Sequence, residues 1–166
     1  ALNRGLSACR GRYVARMDAD DLAHPERLGA QAQLLDERPD VSVVGTLVDT
    51  FSDAAVGEGL RIYLEWQNGL ITDAEIRREI FIESPITHPT AMFRRSDITA
   101  IGGYQEHGWP EDYDLWLRLH VAGKAFAKIP RVLLSWREHP RRLTHCDSRY
   151  SVENFLRAKA HYLIAG

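Results

Sequence analysis

Short apolar runs alternate with amphipathic segments along the whole chain, which is the pattern of an α/β fold. Runs rich in apolar and β-branched residues predict strands at 13–17, 42–48, 126–129 and 132–136. Apolar residues at helical spacing predict helices at 26–37, 73–81 and 111–122, and a last helix that ends at residue 164. The run at 42–48 shows little polar alternation, which favours a strand covered on both faces. We therefore expect a mixed central sheet flanked by helices.

Local signals indicate where several of these helices begin and end. Thr72 and Glu75 match a capping box, and Gly123 follows the predicted helix 111–122. Ser96 is suited to cap a short helix, Ser148 or Ser151 to cap the last one, and Gly11 to end an opening helix in a left-handed conformation. Because the chain starts without Met in the last turns of a helix, we expect residues 1–166 to be a single partial domain.

Composition narrows the class of protein. The 166 residues are 45% hydrophobic, and the formal net charge of −2 gives no basic field for nucleic acid, which is therefore not an expected partner. Two cysteines form neither a metal-binding spacing nor a disulfide framework, so a reducing compartment is expected. No apolar run is long enough to span a bilayer. We expect a cytoplasmic location, with membrane association of a full-length protein left open.

The first acidic cluster, Asp18, Asp20 and Asp21, follows the first predicted strand. Carboxylates this close repel one another unless a cation or solvent neutralises them. A hard divalent metal, Mn²⁺ or Mg²⁺, binds carboxylate oxygens and leaves positions for substrate phosphates. Alternatively, Asp20 and Asp21 could accept hydrogen bonds from backbone N–H groups. Spacing alone favours neither interpretation.

The second acidic cluster, Glu111, Asp112 and Asp114, opens the predicted helix 111–122. Carboxylates in the first turn of a helix are favoured by its dipole, which is the simplest explanation of this cluster. Three of them exceed what capping requires. The surplus makes this cluster a candidate source of a general base.

Five segments occur in an order that resembles glycosyltransferase family 2. They are Asp-Ala-Asp-Asp at 18–21, His-Pro-Thr at 88–90, Arg-Arg through Gly-Gly-Tyr at 94–104, Glu-Asp-Tyr-Asp-Leu-Trp-Leu-Arg at 111–118, and Trp-Arg-Glu-His at 136–139. The resemblance implies a GT-A-like, Rossmann-like fold, a nucleotide-sugar donor, a divalent metal and inversion at the anomeric carbon. From this resemblance we expect the family's first strands, which carry the pocket for the nucleotide base, to be missing from this sequence.

The resemblance also implies roles for individual residues. Asp112 would be the catalytic base, and Glu111 would hold the acceptor. Asp20 would bind the metal directly, with Asp18 in a bridging or ribose-contacting role. His139 falls where the family places a histidine near the metal, although a lone histidine is more often structural.

A further set of residues would contact the sugar or the acceptor. Among them, Trp109 could stack on a sugar ring. Alternatives stay open for the others: a strand start for the segment of His88 and Thr90, and a helix C-cap for Gly102 and Gly103. Arg16, Arg27 and the Arg94-Arg95 pair could reach phosphate, although we expect them to be solvated at the surface.

The expected function is metal-dependent transfer of a sugar from a nucleotide diphosphate sugar to a hydroxyl of a glycan, a lipid or another acceptor. Two other classes remain: a sugar nucleotidyltransferase, and a non-catalytic domain that binds a glycan or a protein partner. If strands are missing, a sheet edge would be exposed. We would then expect self-association through that edge and no activity from the fragment alone.

Overall fold

A computed structural model describes residues 1–52, 56–139 and 142–165. Five strands and eight helices follow one another in these ranges, with two short 3-10 helices, His88–Thr90 and Ser148–Tyr150. The elements are α1 Leu2–Ala8, β1 Tyr13–Ala15, β2 Leu22–Ala23, α2 Arg27–Glu37, β3 Val41–Phe51, α3 Glu58–Asn68, α4 Asp73–Glu79, β4 Met92–Arg94, α5 Arg95–Ala100, α6 Glu111–Val121, β5 Ala125–Arg137, α7 Leu143–Cys146 and α8 Val152–Ala165.

The strands form one mixed sheet in the order β1-β4-β3-β5-β2. The central strands β3 and β5 are parallel, and every other pairing is antiparallel. The expected α/β fold with a mixed sheet is confirmed. The prediction of two strands between 126 and 136 is wrong, because Pro130 and Arg131 form a bulge inside the single strand β5. A bulge leaves residues out of the ladder, which suits proline because it has no N–H to donate.

Helices cover both faces of the sheet. On one face, Phe93 and Phe126 pack in a core cluster with Trp116 of α6 and Tyr162 of α8. On the other face, a second cluster joins Val44, Met92 and Ile129 to Leu35 of α2. This burial on two sides explains why β3 carries apolar residues without alternation.

Three of the predicted helix ends are confirmed. The capping box is present, with Glu75 N–H donating to Thr72 Oγ1 at 3.3 Å and Thr72 N–H donating to Glu75 Oε2 at 2.8 Å. Gly123 follows α6 with a φ of 70°. The Asn154 N–H donates to Ser151 Oγ at 3.3 Å, which gives the last helix a serine cap.

Two predicted helix ends are wrong. Gly11 is not among the glycines with positive φ, because α1 already ends at Ala8 and the following Cys9 is extended. Ser96 is not a cap either, because strand β4 continues directly into α5 at Arg95.

Helix α3 was not predicted, although its placement shapes the site. Asn68 joins it to the sheet, since its side chain exchanges two hydrogen bonds with the backbone of Val48, at 3.0 and 2.8 Å. Leu64 packs on Val48 and Leu134 in a small third cluster. These contacts set α3 beside the carboxyl ends of β3 and β5.

Within the described ranges, no helix is long and apolar enough to cross a membrane. Strand β1 stands at one edge of the sheet and has three residues. Self-association through a sheet edge stays a prediction.

Candidate active site

A cavity of about 650 Å³ lies where β1 and β5 end, between α3 and the start of α6. Asp18 and Asp20 line it, and so do Glu111 and Asp112. The two acidic clusters therefore face the same space, although they are far apart in the sequence. Ligands bind at the carboxyl ends of strands in open α/β sheets, so the cavity is the candidate active site.

Asp18, Asp20 and His139 form one part of the cavity wall. The Nε2 atom of His139 lies 3.3 Å from Oδ2 of Asp20, and Nη1 of Arg16 donates to Oδ2 of Asp18 at 2.5 Å. Carboxylate oxygens suit Mn²⁺ or Mg²⁺, and the imidazole nitrogen favours Mn²⁺ of the two. Among the residues described, no three His, Cys, Asp or Glu side chains converge closely enough to hold a metal without other ligands.

Asp21 has a structural role. Its side chain is buried, and Oδ1 accepts a hydrogen bond from the Arg137 N–H at 2.9 Å, which joins the acidic loop to the end of β5. Burial raises the pKa of Asp21, and the charges of Asp18 and Asp20 add to that effect. For Asp21, the alternative of a backbone hydrogen bond is therefore confirmed.

Asp112 is the second residue of α6 and is half-buried in the cavity wall. Burial raises the pKa of Asp112 to about 7, with a further contribution from the charge of Glu111 and an opposing one from Arg16. A carboxylate with a pKa near neutrality is far more basic than an ordinary aspartate, and about half of it is ionised at pH 7. This balance suits a general base.

Glu111 is fixed beside Asp112 by residues near the start of α8. Tyr150 donates its hydroxyl to Glu111 Oε2 at 3.4 Å, and Nη1 of Arg149 lies 3.6 Å from the same oxygen. Arg149 is itself paired with Asp147 at 2.7 Å. The ion pair with Asp147 restrains Arg149, and Arg149 in turn helps to hold Glu111 in place.

The expectation that Arg16 and Arg27 are solvated is wrong. Arg16 lines the cavity beside Asp18, and Arg27 is 1% exposed. Arg27 Nη2 donates to the carbonyl of Arg16 at 2.7 Å, so it stabilises the backbone just after β1. The spacing of Arg16 two residues before Asp18 was a usable signal, because alternate residues of an extended segment point to the same side.

His88 lines the cavity and is buried. Its Nε2 lies 2.8 Å from the hydroxyl of Tyr104, and the ring of Trp116 packs edge-on against it at 5.9 Å between centroids. Burial holds the pKa of His88 well below its usual value, so the imidazole is neutral.

Four other residues predicted to contact the sugar or the acceptor do not line the cavity in the described part of the chain. Three of them are Gly102, Gly103 and Trp109. Gly102 and Gly103 have φ angles of 84° and 69° just after α5, and a Cβ on Gly103 would lie 2.7 Å from Asn3 Oδ1. Trp109 donates its indole N–H to Asp114 Oδ1 at 2.8 Å. These contacts give the residues structural roles, and their contacts with a sugar stay predictions.

Thr90 is the fourth of these residues. It is fully buried, and its hydroxyl donates to the carbonyl of Thr87 at 2.7 Å. Its own carbonyl accepts from Gln31 Nε2 at 2.7 Å, which ties the segment to α2.

One wall of the cavity was not predicted from the sequence. It is formed by α3, the segment before His88 and the start of α8. The missed lining residues are Leu60, Tyr63, Glu83, Ser84, Ile86, Thr87, Tyr150 and Phe155. No local pattern marks them, because long-range packing turns them toward the cavity.

Comparison with known proteins identifies the chain's relatives. A model of the family described as Glycosyl transferase family 2 matches residues 1–102. The amylovoran biosynthesis glycosyltransferase AmsE of Erwinia amylovora is 34% identical over 137 residues, which are 82% of this chain and 49% of that protein. The Escherichia coli UDP-Gal:alpha-D-GlcNAc-diphosphoundecaprenol beta-1,3-galactosyltransferase is 28% identical over 137 residues, 82% of this chain and 48% of the other.

The fold has a counterpart among solved structures. The crystal structure of S. aureus TarS 1-349 in complex with UDP-GlcNAc superposes with a TM-score of 0.69 at 16% identity, over 98% of this chain and 45% of that chain. The chain spans about half the length of the curated relatives it matches. The family match covers more than half of the 166 residues and includes Asp18, Asp20 and His88, so the chain belongs to glycosyl transferase family 2.

Proposed function

We propose that this chain carries the transfer site of an inverting, metal-dependent glycosyltransferase, which moves a sugar from a nucleoside diphosphate sugar to an acceptor hydroxyl. One observation carries the proposal. A single cavity brings the carboxylates of Asp18 and Asp20 together with Asp112, whose pKa burial raises to about 7. This arrangement supports metal binding beside the donor diphosphate and proton acceptance from the acceptor within one cavity.

The donor is assigned to the part of the cavity beside Asp18 and Asp20. Together with His139, these side chains would hold Mn²⁺ or Mg²⁺, and phosphate oxygens and water would supply the ligands that the described side chains do not. When bound, the metal would neutralise the diphosphate leaving group. Arg16 adds a positive charge next to Asp18.

The acceptor is assigned to the part of the cavity beside Asp112. Its carboxylate would take the proton from the acceptor hydroxyl as that oxygen attacks the anomeric carbon. Attack from the face opposite the diphosphate inverts the configuration of that carbon. Glu111 would accept a hydrogen bond from the acceptor while Tyr150 and Arg149 hold it in place.

The names of the relatives favour the same class of reaction. The Escherichia coli protein is named as a galactosyltransferase that uses UDP-Gal and a lipid-diphosphate-linked sugar, and AmsE as an enzyme of amylovoran biosynthesis. The TarS structure contains UDP-GlcNAc. A nucleotide-sugar donor with a glycan or lipid-linked acceptor is therefore proposed here.

The test is an assay of UDP release by the native polypeptide with a panel of UDP-sugars and glycoside acceptors, with and without Mn²⁺. We expect release that depends on Mn²⁺ and a product whose anomeric configuration, read by NMR, is opposite to that of the donor. Retention of configuration, or transfer at full rate in a chelator, would contradict the proposed mechanism.

A further inference from the structure

Glu83 is a carboxylate in the cavity wall that the proposed mechanism does not use. It is half-buried, and its Oε1 accepts a hydrogen bond from the Ser84 N–H at 2.8 Å. Throughout the described ranges, no Lys, Arg or His forms an ion pair with it. Burial raises the pKa of Glu83, and the Ser84 N–H and the charge of Lys159 offset that effect only in part. A ligand that donates hydrogen bonds to the carboxylate would stabilise its ionised form further.

The wall that carries Glu83 is held rigidly. The carbonyl of Ser84 accepts hydrogen bonds from the Tyr63 hydroxyl at 3.1 Å and from Gln67 Nε2 at 2.8 Å. Thr87 donates its hydroxyl to the side chain of Gln67, and the buried ammonium of Lys128 donates to the Gln67 carbonyl. The carboxylate is therefore fixed before a ligand arrives, which lowers the entropic cost of binding.

Glu83 and Asp112 face a common residue, Tyr63. Burial raises the pKa of Tyr63 well above its usual value, and the charges of Glu83 and Asp112 both add to that effect. Leu60, Ile86 and Phe155 contribute apolar surface to the same cavity. Apolar surface combined with fixed acceptors is complementary to a sugar ring, whose C–H groups are apolar and whose hydroxyl groups donate.

We infer that Glu83 is a specificity-determining residue for the acceptor: it accepts hydrogen bonds from hydroxyl groups of an acceptor sugar ring whose attacking hydroxyl lies at Asp112. The inference rests on the proposed function and adds to it a residue that recognises the acceptor's sugar ring, so that a simple alcohol would not make the same contact.

The test compares Glu83→Gln with Glu79→Gln. Both substitutions keep the shape of the side chain, but Glu79 lies outside the cavity and pairs with Arg78 at 2.8 Å. Calorimetry measures binding of methyl glycosides of glucose, galactose and N-acetylglucosamine, of 1-butanol, and separately of UDP with Mn²⁺. We expect Glu83→Gln to weaken binding of the preferred glycoside about tenfold, the usual cost of one hydrogen bond to a charged group.

The affinities for 1-butanol and for UDP distinguish the inference about Glu83 from the proposed function. Affinity for 1-butanol and for UDP should stay unchanged in Glu83→Gln, and every affinity should stay unchanged in Glu79→Gln. Equal glycoside affinity of the native protein and Glu83→Gln, or no glycoside binding by the native protein, would overturn the inference. Absence of UDP binding by the native protein would instead contradict the proposed function, while the glycoside titration would still report on Glu83.

A second measurement does not depend on the folding of a variant. Carboxyl NMR of the native protein follows the titration of Glu83 with and without the glycoside. Hydroxyl groups that donate to the carboxylate favour its ionised form, so the glycoside should lower the pKa of Glu83. An unchanged or raised pKa at saturating glycoside would overturn the inference.

Discussion

The imidazole Nε2 of His139 lies 3.3 Å from the Oδ2 of Asp20, so the end of β5 meets the loop that follows β1. Asp18 is in the same part of the cavity wall and is paired with Arg16. Two carboxylates and one imidazole thus face the space to which we assign the donor diphosphate. This arrangement makes the metal proposal testable by binding alone, without turnover.

Asp20→Asn should lose most of the binding of UDP that depends on Mn²⁺, because an amide oxygen is a weaker ligand than a carboxylate. We expect a loss of at least about tenfold, since disturbing even an outer partner of a metal site costs that much. Calorimetry of UDP with and without Mn²⁺ measures it. Asp49→Asn, an exposed position outside the cavity, is the control. Undiminished Mn²⁺-dependent binding in Asp20→Asn would contradict the metal assignment.

Asp112→Asn should keep the affinity for UDP and lower the turnover number by a factor on the order of 10² to 10⁴, the usual contribution of a positioned general base. The amide keeps the shape of the side chain and removes its basicity. Steady-state kinetics and UDP calorimetry separate the two effects. Glu106→Gln, in the exposed loop before α6, should leave both unchanged. Turnover at the native rate in Asp112→Asn would place the base elsewhere.

The pH profile should follow the ionisation of Asp112. Because the base must be ionised and burial raises its pKa to about 7, turnover should be half-maximal near pH 7 and level off above about pH 8. Glu111→Gln removes a negative charge that raises this pKa, so the rising limb should move to lower pH. Profiles of the turnover number for the two proteins measure the shift, and a shift to higher pH would rule out this coupling.

The sequence predicted the parts of the site that have local signals. Asp18 and Asp20 lie just after a strand, and Glu111 and Asp112 lie at the start of a helix. Both clusters are therefore at ends of elements that can be predicted from the sequence. Glu83 and Tyr63 had no such signal. Their side chains face the cavity because Gln67 and Tyr63 of α3 bind the Ser84 carbonyl, and that contact joins segments whose packing no local pattern encodes.

The buried charge of Lys128 was equally hard to predict from local sequence patterns. Lys128 shares a face of β5 with Phe126, because side chains alternate along a strand, and Phe126 belongs to the main core cluster. A lysine in a strand is usually assigned to the solvent face. Helices on both sides of the sheet leave β5 no solvent face at this point, so Lys128 is 3% exposed.

Two aspartates of α6 should respond oppositely to the same substitution. Asp114 is fully buried and accepts from Trp109 at 2.8 Å, Tyr162 at 2.7 Å and Arg118 at 2.7 Å. Burial acts to raise its pKa, but these hydrogen bonds together lower it. Asp114→Asn should therefore lower the free energy of unfolding by about 3 kcal/mol, as for a broken buried pair.

Asp112→Asn is the matched comparison for Asp114→Asn. The raised pKa of Asp112 means that the folded protein disfavours its charge at pH 8, so removing the charge should leave stability unchanged or increase it. Urea unfolding of both variants at pH 8 gives the two free energies. Equal destabilisation by the two substitutions would contradict the distinction between a structural and a functional carboxylate.

Lys128→Met should stabilise the protein at pH 6. Burial lowers the pKa of Lys128 from its ordinary value near 10.5 to about 7, and the ammonium donates to the Gln67 carbonyl without a carboxylate partner among the described residues. That carbonyl also accepts from the Leu70 N–H at 3.2 Å, so methionine does not leave it without a donor. The substitution thus removes a buried charge and retains the packing volume.

The sign of the pH dependence makes this prediction specific. Between about pH 7 and 10.5, the unfolded chain keeps a proton on Lys128 that the folded chain has lost, so the free energy of unfolding should rise with pH by about 1.4 kcal/mol per unit. Urea unfolding should show this rise in the native protein and in Lys159→Met, whose lysine is partly exposed on α8. Lys128→Met should lack it. The same pH slope in Lys128→Met as in the native protein would show that Lys128 is not the group responsible.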